Sequence, residues 1–460
     1  MVKRFFHKFQ YFIVNFLRET SIHGFVHVVS IGVHLIERIL WIFCVIMAFY
    51  STSSLSQRIW KRYQESPTVI SMDRNMFFWN TSFPAATICP HRQLDDQKLI
   101  NYLNANPQKF PTEDDRTEFT EFIWKLSRAT FENFEDLPMN RTFDIPSSDY
   151  MELIWNLSWP FNPEVSSGVR VNLYLVETIT ELGICYAINS RVAAYNSFQY
   201  RKANSWHLIP SSTTVTVHPL DGEIYAQIIN LSTAYEVYFH GSMEIPDISK
   251  RRYFFDDSVY ATVEMVALEI HTTADARDLS VSQRRCRFME EAESLQYSPA
   301  YSLNFCRIEC RIRLSLEICH CIPHFYRSRT KNGHQHPVCD FDGMKCLAGI
   351  KDEIISLHSD KMKIKCKCEE NCDNSDFFVQ SSKSRMWFLG ANLQWGISDY
   401  PKMQLIRDVL FRFTDLLVYI GGTAGLFLGC SLLSFTEFIY FFSWRLGKFI
   451  LARNWRDFRL

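Results

Sequence analysis

A chain of 460 residues that is 47% hydrophobic, 15% aromatic and of formal net charge -1 lacks the basic excess that nucleic-acid binding requires. The neutrality hides an asymmetry: residues 1–38 and 437–460 each hold five basic and two acidic side chains, +3 at either end, so the middle carries -7. Basic ends around an acidic middle predict two cytoplasmic tails.

In chain order, Phe5, Phe9, Ile13 and Phe16 recur at helical spacing beside Lys and Arg. They predict an amphipathic helix, lying in a membrane interface or packed on protein. The pair His23-Gly24 follows. Ile39 to Gln57 is an uncharged run between Arg38 and Arg58, and at about 1.5 Å per residue it nearly spans a hydrocarbon core. Lys8 interrupts the apolar residues before it and no small-residue cleavage site follows, so the first span is expected to stay as an anchor. "FPAATIC" (residues 83–89) predicts a strand leaving the membrane, and residues 95–165 are polar and largely helical. Strands are predicted at "GICYAIN", "STTVTVHPL", "AYEVYFHGSMEIP" and "DSVYATVEMVALEIHTT", and helices at "SPAYSLNFCRIECRIRLSLEICHC" and "DEIISLHSDKMK". Leu416 to Thr436 is a second uncharged run, between Asp415 and Glu437. The fold class expected is α+β: two membrane spans around a large extracellular domain.

Twelve of the fourteen cysteines lie between the runs, ten of them from Cys286 to Cys372; Cys44 and Cys430 lie within the runs. An even set in an extracellular segment predicts disulfides, whereas Cys-x-Cys is a poor zinc spacing, so no metal is expected. Sequons at Asn80, Asn140, Asn156 and Asn230 fall in the same segment. No H-E-x-x-H, G-x-S-x-G or phosphate-cradling loop is present, and no enzyme is expected. In the second run Gly421, Gly425 and Gly429 form one helical stripe, with Gly422 beside it. Such a stripe serves close helix packing or brings backbone oxygens to a pore axis, and spacing leaves both readings open.

His23-Gly24, "FPAATIC", "GICYAIN", "VYFHGSMEIP", "YSLNFCRIEC" and "IGGTAGLFLGCSLLSFTE", in this order, resemble the degenerin/epithelial sodium channel superfamily and within it the insect pickpocket group. Residues 95–180 match poorly. The resemblance implies a hand-shaped extracellular domain like that of acid-sensing ion channels. Its palm is β-sheet and its finger and thumb are helical. It divides the chain into a cytoplasmic segment 1–38, a first span 39–58, the extracellular domain 59–408 with its thumb at about 286–372, a pore helix 409–443 and a tail 444–460.

It also implies a homo- or heterotrimer at the plasma membrane, in contact with lipid and gated by an unknown extracellular ligand or by force. Gly429, Cys430 and Ser431 would form a sodium-selective filter, Glu437 an acidic inner-pore position, and His23 and Gly24 a re-entrant support. No cofactor is implied beyond permeant Na+, and amiloride block is expected from the family alone. The implied disulfides are Cys89–Cys185, Cys286–Cys372, Cys306–Cys368, Cys310–Cys366, Cys319–Cys346 and Cys321–Cys339. Departures from the family are Tyr419 where acid-sensing relatives place an outer Asp, with Asp415 one turn away, and Val418 where degenerins need a small residue. Gln283 replaces a Trp that contacts the residue matching Tyr63, so Tyr63 is expected to lack that partner. Rival readings are a modulatory, non-conducting subunit, an ATP-gated trimeric channel and a two-span scavenger-type receptor.

Overall fold

The computed structural model describes residues 2–137, 143, 145–168, 173–210, 214–359, 364 and 366–451. Two compact units organise it, one drawn from residues 1–69, 274–284 and 408–460, the other from 70–273 and 285–407.

The first unit is helical. The amphipathic segment forms Val2–Glu19, Phe25–Val29 is a short helix, and the first apolar run sits within Leu35–Glu65, 31 residues long and apolar enough to cross a membrane. The amphipathic helix packs on protein: Phe12 and Phe16 are buried against Phe441, with ring centroids at 5.0 and 5.1 Å, and Glu19 pairs with Arg445. Phe9 stays exposed. The second run forms Phe413–Leu428, then Leu432–Tyr440, continuing through a π-helical turn at Phe441–Arg445.

The second unit is mixed. Its central strand, Val259–Thr272, pairs antiparallel with Asn374–Met386 and parallel with Asn392–Asp399. Its side chains alternate between buried and half-exposed, the period of a sheet with one face in the core. Beyond Asn392–Asp399 lie Tyr225–Ile229 and Glu164–Ser167. A five-stranded sheet runs Tyr253–Phe255, Tyr235–His240, Ala85–Pro90, Gly183–Ile188, Leu175–Thr180. Ala85–Pro90 is buried throughout, as a central strand should be. Trp395 is fully buried and donates Nε1–H to Pro84 O at 3.0 Å; burying an indole that finds its acceptor contributes several kcal/mol, about 3–5 on truncation.

Around the sheets pack helices Asp96–Ala105, Glu113–Ser127, Tyr150–Asn156, Leu303–Cys319, Phe341–Ala348 and Lys351–Ser356. The predicted helix over "DEIISLHSDKMK" is shorter than expected, because Leu357 turns left-handed at φ 54° and ends it. "STTVTVHPL" shows only Thr216–Val217 as strand.

Six disulfides staple this unit: Cys89–Cys185, Cys286–Cys372, Cys306–Cys368, Cys310–Cys366, Cys319–Cys346 and Cys321–Cys339. Cys306 and Cys310, one turn apart on Leu303–Cys319, meet Cys368 and Cys366, each with Cα atoms 5.8 Å apart. The Sγ atoms of Cys306, Cys310 and Cys368 lie within 4.8 Å of one another, a spacing a metal would accept, but all three are committed to disulfides. Asn80, Asn156 and Asn230 are exposed; Asn140 lies outside the described residues.

The start of the Leu303–Cys319 helix contains a buried titrating group. Ser302 caps it through Phe305 N. Glu244 accepts from the amides of Leu303 and Asn304, each at 3.2 Å, and from Asn371 Nδ2 at 2.5 Å. Burial pushes the Glu244 carboxyl up to about 7, against those donors, which pull it down. A carboxyl raised in the folded state stabilises fully below its ordinary range and loses that contribution as pH rises through about 7. Between pH 5 and 8 the detergent-solubilised protein should lose about 3 kcal/mol from this group, seen as a falling Tm. Glu244→Gln should flatten that slope; an equal slope in both proteins would remove Glu244 as its source.

Candidate functional site: a broken helix and its support

The second apolar run does not form one helix. Phe413–Leu428 and the helix that begins at Leu432 meet at 76°. Gly429 makes the break, with φ 63° and ψ 20°, a left-handed conformation that costs other residues about 1–2 kcal/mol. Its amide still reaches Gly425 O at 3.0 Å, and the Cys430 amide reaches Ala424 O at 3.3 Å. Ser431 then opens the next helix, its Oγ accepting from Ser434 N at 3.3 Å while Ser434 Oγ accepts from Ser431 N at 3.1 Å. One residue ends a helix, one links, and one caps the next.

The His23-Gly24 segment seats against this break. The His23 amide donates to Leu428 O at 2.9 Å. A Cβ added at Gly429 would fall 2.5 Å from Cε1 of the His23 ring and closer still to Nδ1, so only glycine fits beneath the imidazole. Gly24 adopts φ 89°, and a Cβ there would sit 2.7 Å from Val45 Cγ2. Ser21 Oγ bonds to Ser434 Oγ at 2.7 Å, and the Ser21 amide points at Glu437 Oε2 at 3.4 Å. The support is tied onward to Leu35–Glu65: His27 stacks on Trp41 at 4.3 Å, and Arg38 donates to Ser30 O at 3.1 Å.

The remaining candidates divide. Gly421 and Gly422 face open space, since a Cβ at either would meet no heavy atom within 4 Å; at Gly425 it would meet only Cys430 O, at 3.6 Å. Among the described residues, then, nothing packs on Gly421 or Gly422, whereas Gly429, the last of the stripe, lies under the His23 ring. Val418 and Tyr419 are exposed, with Tyr419 5.7 Å from the Phe411 ring. Asp415 is engaged at the helix start, accepting from the Arg412 amide at 3.0 Å. Gln283 Nε2 donates to the Tyr63 backbone carbonyl at 3.3 Å, a contact through the main chain and not through the ring. Cys44 and Cys430 are free thiols.

The described chain thus combines one helix apolar enough to cross a membrane, a second apolar segment broken at Gly429-Cys430-Ser431, and a disulfide-rich mixed unit. The amiloride-sensitive sodium channel family matches residues 16–441. The chain belongs to that family, the degenerin/epithelial sodium channels, whose members are ion channels. It is similar to sodium channel protein Nach of Drosophila ananassae, 22% identical over 94% of this chain and 87% of the relative. It is also similar to pickpocket protein 11 of Drosophila melanogaster, 24% identical over 96% of this chain and 78% of the relative. Among solved structures a proton-activated chloride channel shows 7% identity over 85% of this chain and 91% of its own, at a TM-score of 0.22, too slight a likeness to inform fold or function.

Proposed function

We propose that this chain is one subunit of a trimeric, sodium-permeable channel of the plasma membrane. Leu35–Glu65 supplies the first span and the bent pair from Phe413 onward supplies the second. Both termini lie in the cytoplasm, and residues 59–408 form the extracellular, hand-shaped domain. Three copies of Gly429-Cys430-Ser431 make a narrow ring that replaces part of the hydration of Na+ and holds the ion weakly enough to release it. The observation that supports this most is the left-handed break at Gly429 with His23 packed against it. A continuous helix turns every backbone oxygen into its own ladder, whereas a break frees carbonyls to face a permeating ion.

The uncovered glycine face at Gly421 and Gly422 supports assembly, because close packing there needs a second chain. Glu437 places a carboxylate one helix beyond the break. The stimulus is an extracellular ligand or mechanical force, and amiloride block follows from the family.

Voltage clamp of cells expressing the chain, with external Na+ exchanged for a large impermeant cation, tests this reading. The expected result is an inward current that vanishes with Na+ and whose Na+/K+ preference changes in Ser431→Ala. Current that arises only beside a co-expressed relative would assign a modulatory subunit. Silence in both settings, with the chain at the surface, would leave a non-conducting receptor.

A further inference from the structure

The helical side of the larger unit holds a cleft that ion conduction does not use. It has a volume of about 200 Å3 and lies between Tyr150–Asn156, Phe198–Lys202 and residues 324–329. Arg201, Lys202, Arg327 and Arg329 line it against one carboxylate, Glu152, which is already paired with Lys202 at 2.7 Å.

The two inner guanidiniums are under-satisfied. Arg327 is only 7% exposed and lies 3.7 Å over the Trp206 ring. It donates Nη2–H to Asn204 Oδ1 and Ser205 O, leaving Nε and Nη1 buried without partners. Arg201 gives Nη1–H to Phe325 O at 2.7 Å, and its Nε is likewise buried and unpartnered. His324, 5% exposed, also lines the cleft with an unpartnered Nδ1. Glu177, the carboxylate whose field reaches Arg201, has one oxygen bound to the Phe198 amide at 3.0 Å. Among the described residues no carboxylate forms an ion pair with Arg201 or Arg327.

Buried charges in folded proteins are paired, since desolvating them alone is expensive. Here one buried cation, Arg327, and one half-buried cation, Arg201, line the same cleft. Burial first, and then the Arg327 charge, pull Arg201 down to about 9, and burial pulls Arg327 down to about 10. Four basic side chains lining one cleft against a single carboxylate call for an anionic ligand with several acceptor atoms, which suits oxyanions better than halide. His324, held neutral because burial pushes it down to about 4, keeps its ring N–H on the Leu126 carbonyl and gives the cleft no further donor.

We propose that this cleft binds a small oxyanion, a carboxylate or a phosphate, on Arg201 and Arg327, with Lys202 and Arg329 at its mouth. The site is independent of the pore reading, because binding is measured on purified protein without current.

The test is thermal unfolding and tryptophan emission of the full-length chain in detergent at neutral pH, in a sodium chloride background. Sodium acetate and sodium phosphate are titrated separately, so that the two arms tell which oxyanion the cleft prefers. The expected result is a saturable rise in Tm with at least one of them, accompanied by a change in emission from Trp206 under Arg327. Arg327→Gln should weaken the midpoint about tenfold, the loss of one charge-assisted pair. Ser148→Glu, which sets a carboxylate in the cleft lining, should raise Tm without added anion and abolish the response, and it decides the matter if Arg327→Gln does not fold. No saturable shift with either anion, or an undiminished shift in these variants, would overturn the assignment.

Discussion

Replacing Gly429 with alanine is expected to abolish most of the sodium current while leaving the chain at the cell surface. Two penalties add. The left-handed φ of 63° costs a residue with a Cβ about 1–2 kcal/mol. The new methyl would also overlap the His23 ring, which must leave its seat and take with it the His23 amide bond to Leu428 O. A combined cost near 3 kcal/mol lowers occupancy of the native geometry roughly a hundredfold. The double variant His23→Ala, Gly429→Ala relieves the overlap and not the dihedral cost. It should therefore conduct better than the single Gly429 variant and less well than the wild type. Wild-type current in Gly429→Ala, or no gain in the double variant, would refute the packing argument.

Arg311→Met should have the largest effect on folding. Arg311 is fully buried on the Leu303–Cys319 helix. It donates to Glu181 Oε1 at 2.9 Å, Asp247 Oδ1 at 2.6 Å and the carbonyls of Ile354 and Ile355. Arg307 also reaches Asp247, at 2.8 Å, and Tyr326 donates its hydroxyl to Glu181. Burial raises Glu181 above the usual carboxylate range. Burial alone would raise Asp247 too, but Arg311 and Arg307 together hold it below that range.

Removing Arg311 strands these acids, a loss of about 3–5 kcal/mol. Most of the chain should then be retained inside the cell, with a lowered Tm in the purified fraction. Adding Glu181→Gln and Asp247→Asn should recover part of the loss, because no charge is then left buried. The exposed pair Arg412–Asp275 provides the contrast: Arg412→Gln should cost under about 1 kcal/mol. Equal effects from the two Arg variants would show that burial is not what matters at Arg311.

Much of the architecture was legible in short patterns. The two uncharged runs stood out by length. The strand predicted over "DSVYATVEMVALEIHTT" forms the central strand, and the structure shows its alternating buried face. The helix predicted over "SPAYSLNFCRIECRIRLSLEICHC" appears as Leu303–Cys319, and the structure adds its Ser302 cap. The glycine at 429 was visible as the last member of a stripe, but a stripe does not say which glycine breaks the helix. Residues 324–329 gave no signal as part of a site, because their arginines look like surface charge until the fold buries Arg327 against Trp206.

Local chemistry thus determined the elements: apolar length, strand alternation, capping residues and an even cysteine set are properties of neighbours along the chain. Family resemblance, not spacing, suggested which cysteines pair, since connectivity depends on distances between segments up to 96 residues apart. Resemblance likewise suggested His23-Gly24 as a support for the filter, while the tertiary structure supplied the contact of the His23 ring with Gly429 and of Gln283 with Tyr63. The tertiary structure also decided that Arg311 is neutralised by acids 130 and 64 residues away, while among the described residues no carboxylate forms an ion pair with Arg201 or Arg327. Those outcomes rest on desolvation and close approach, which arise only when distant parts of the chain exclude water together.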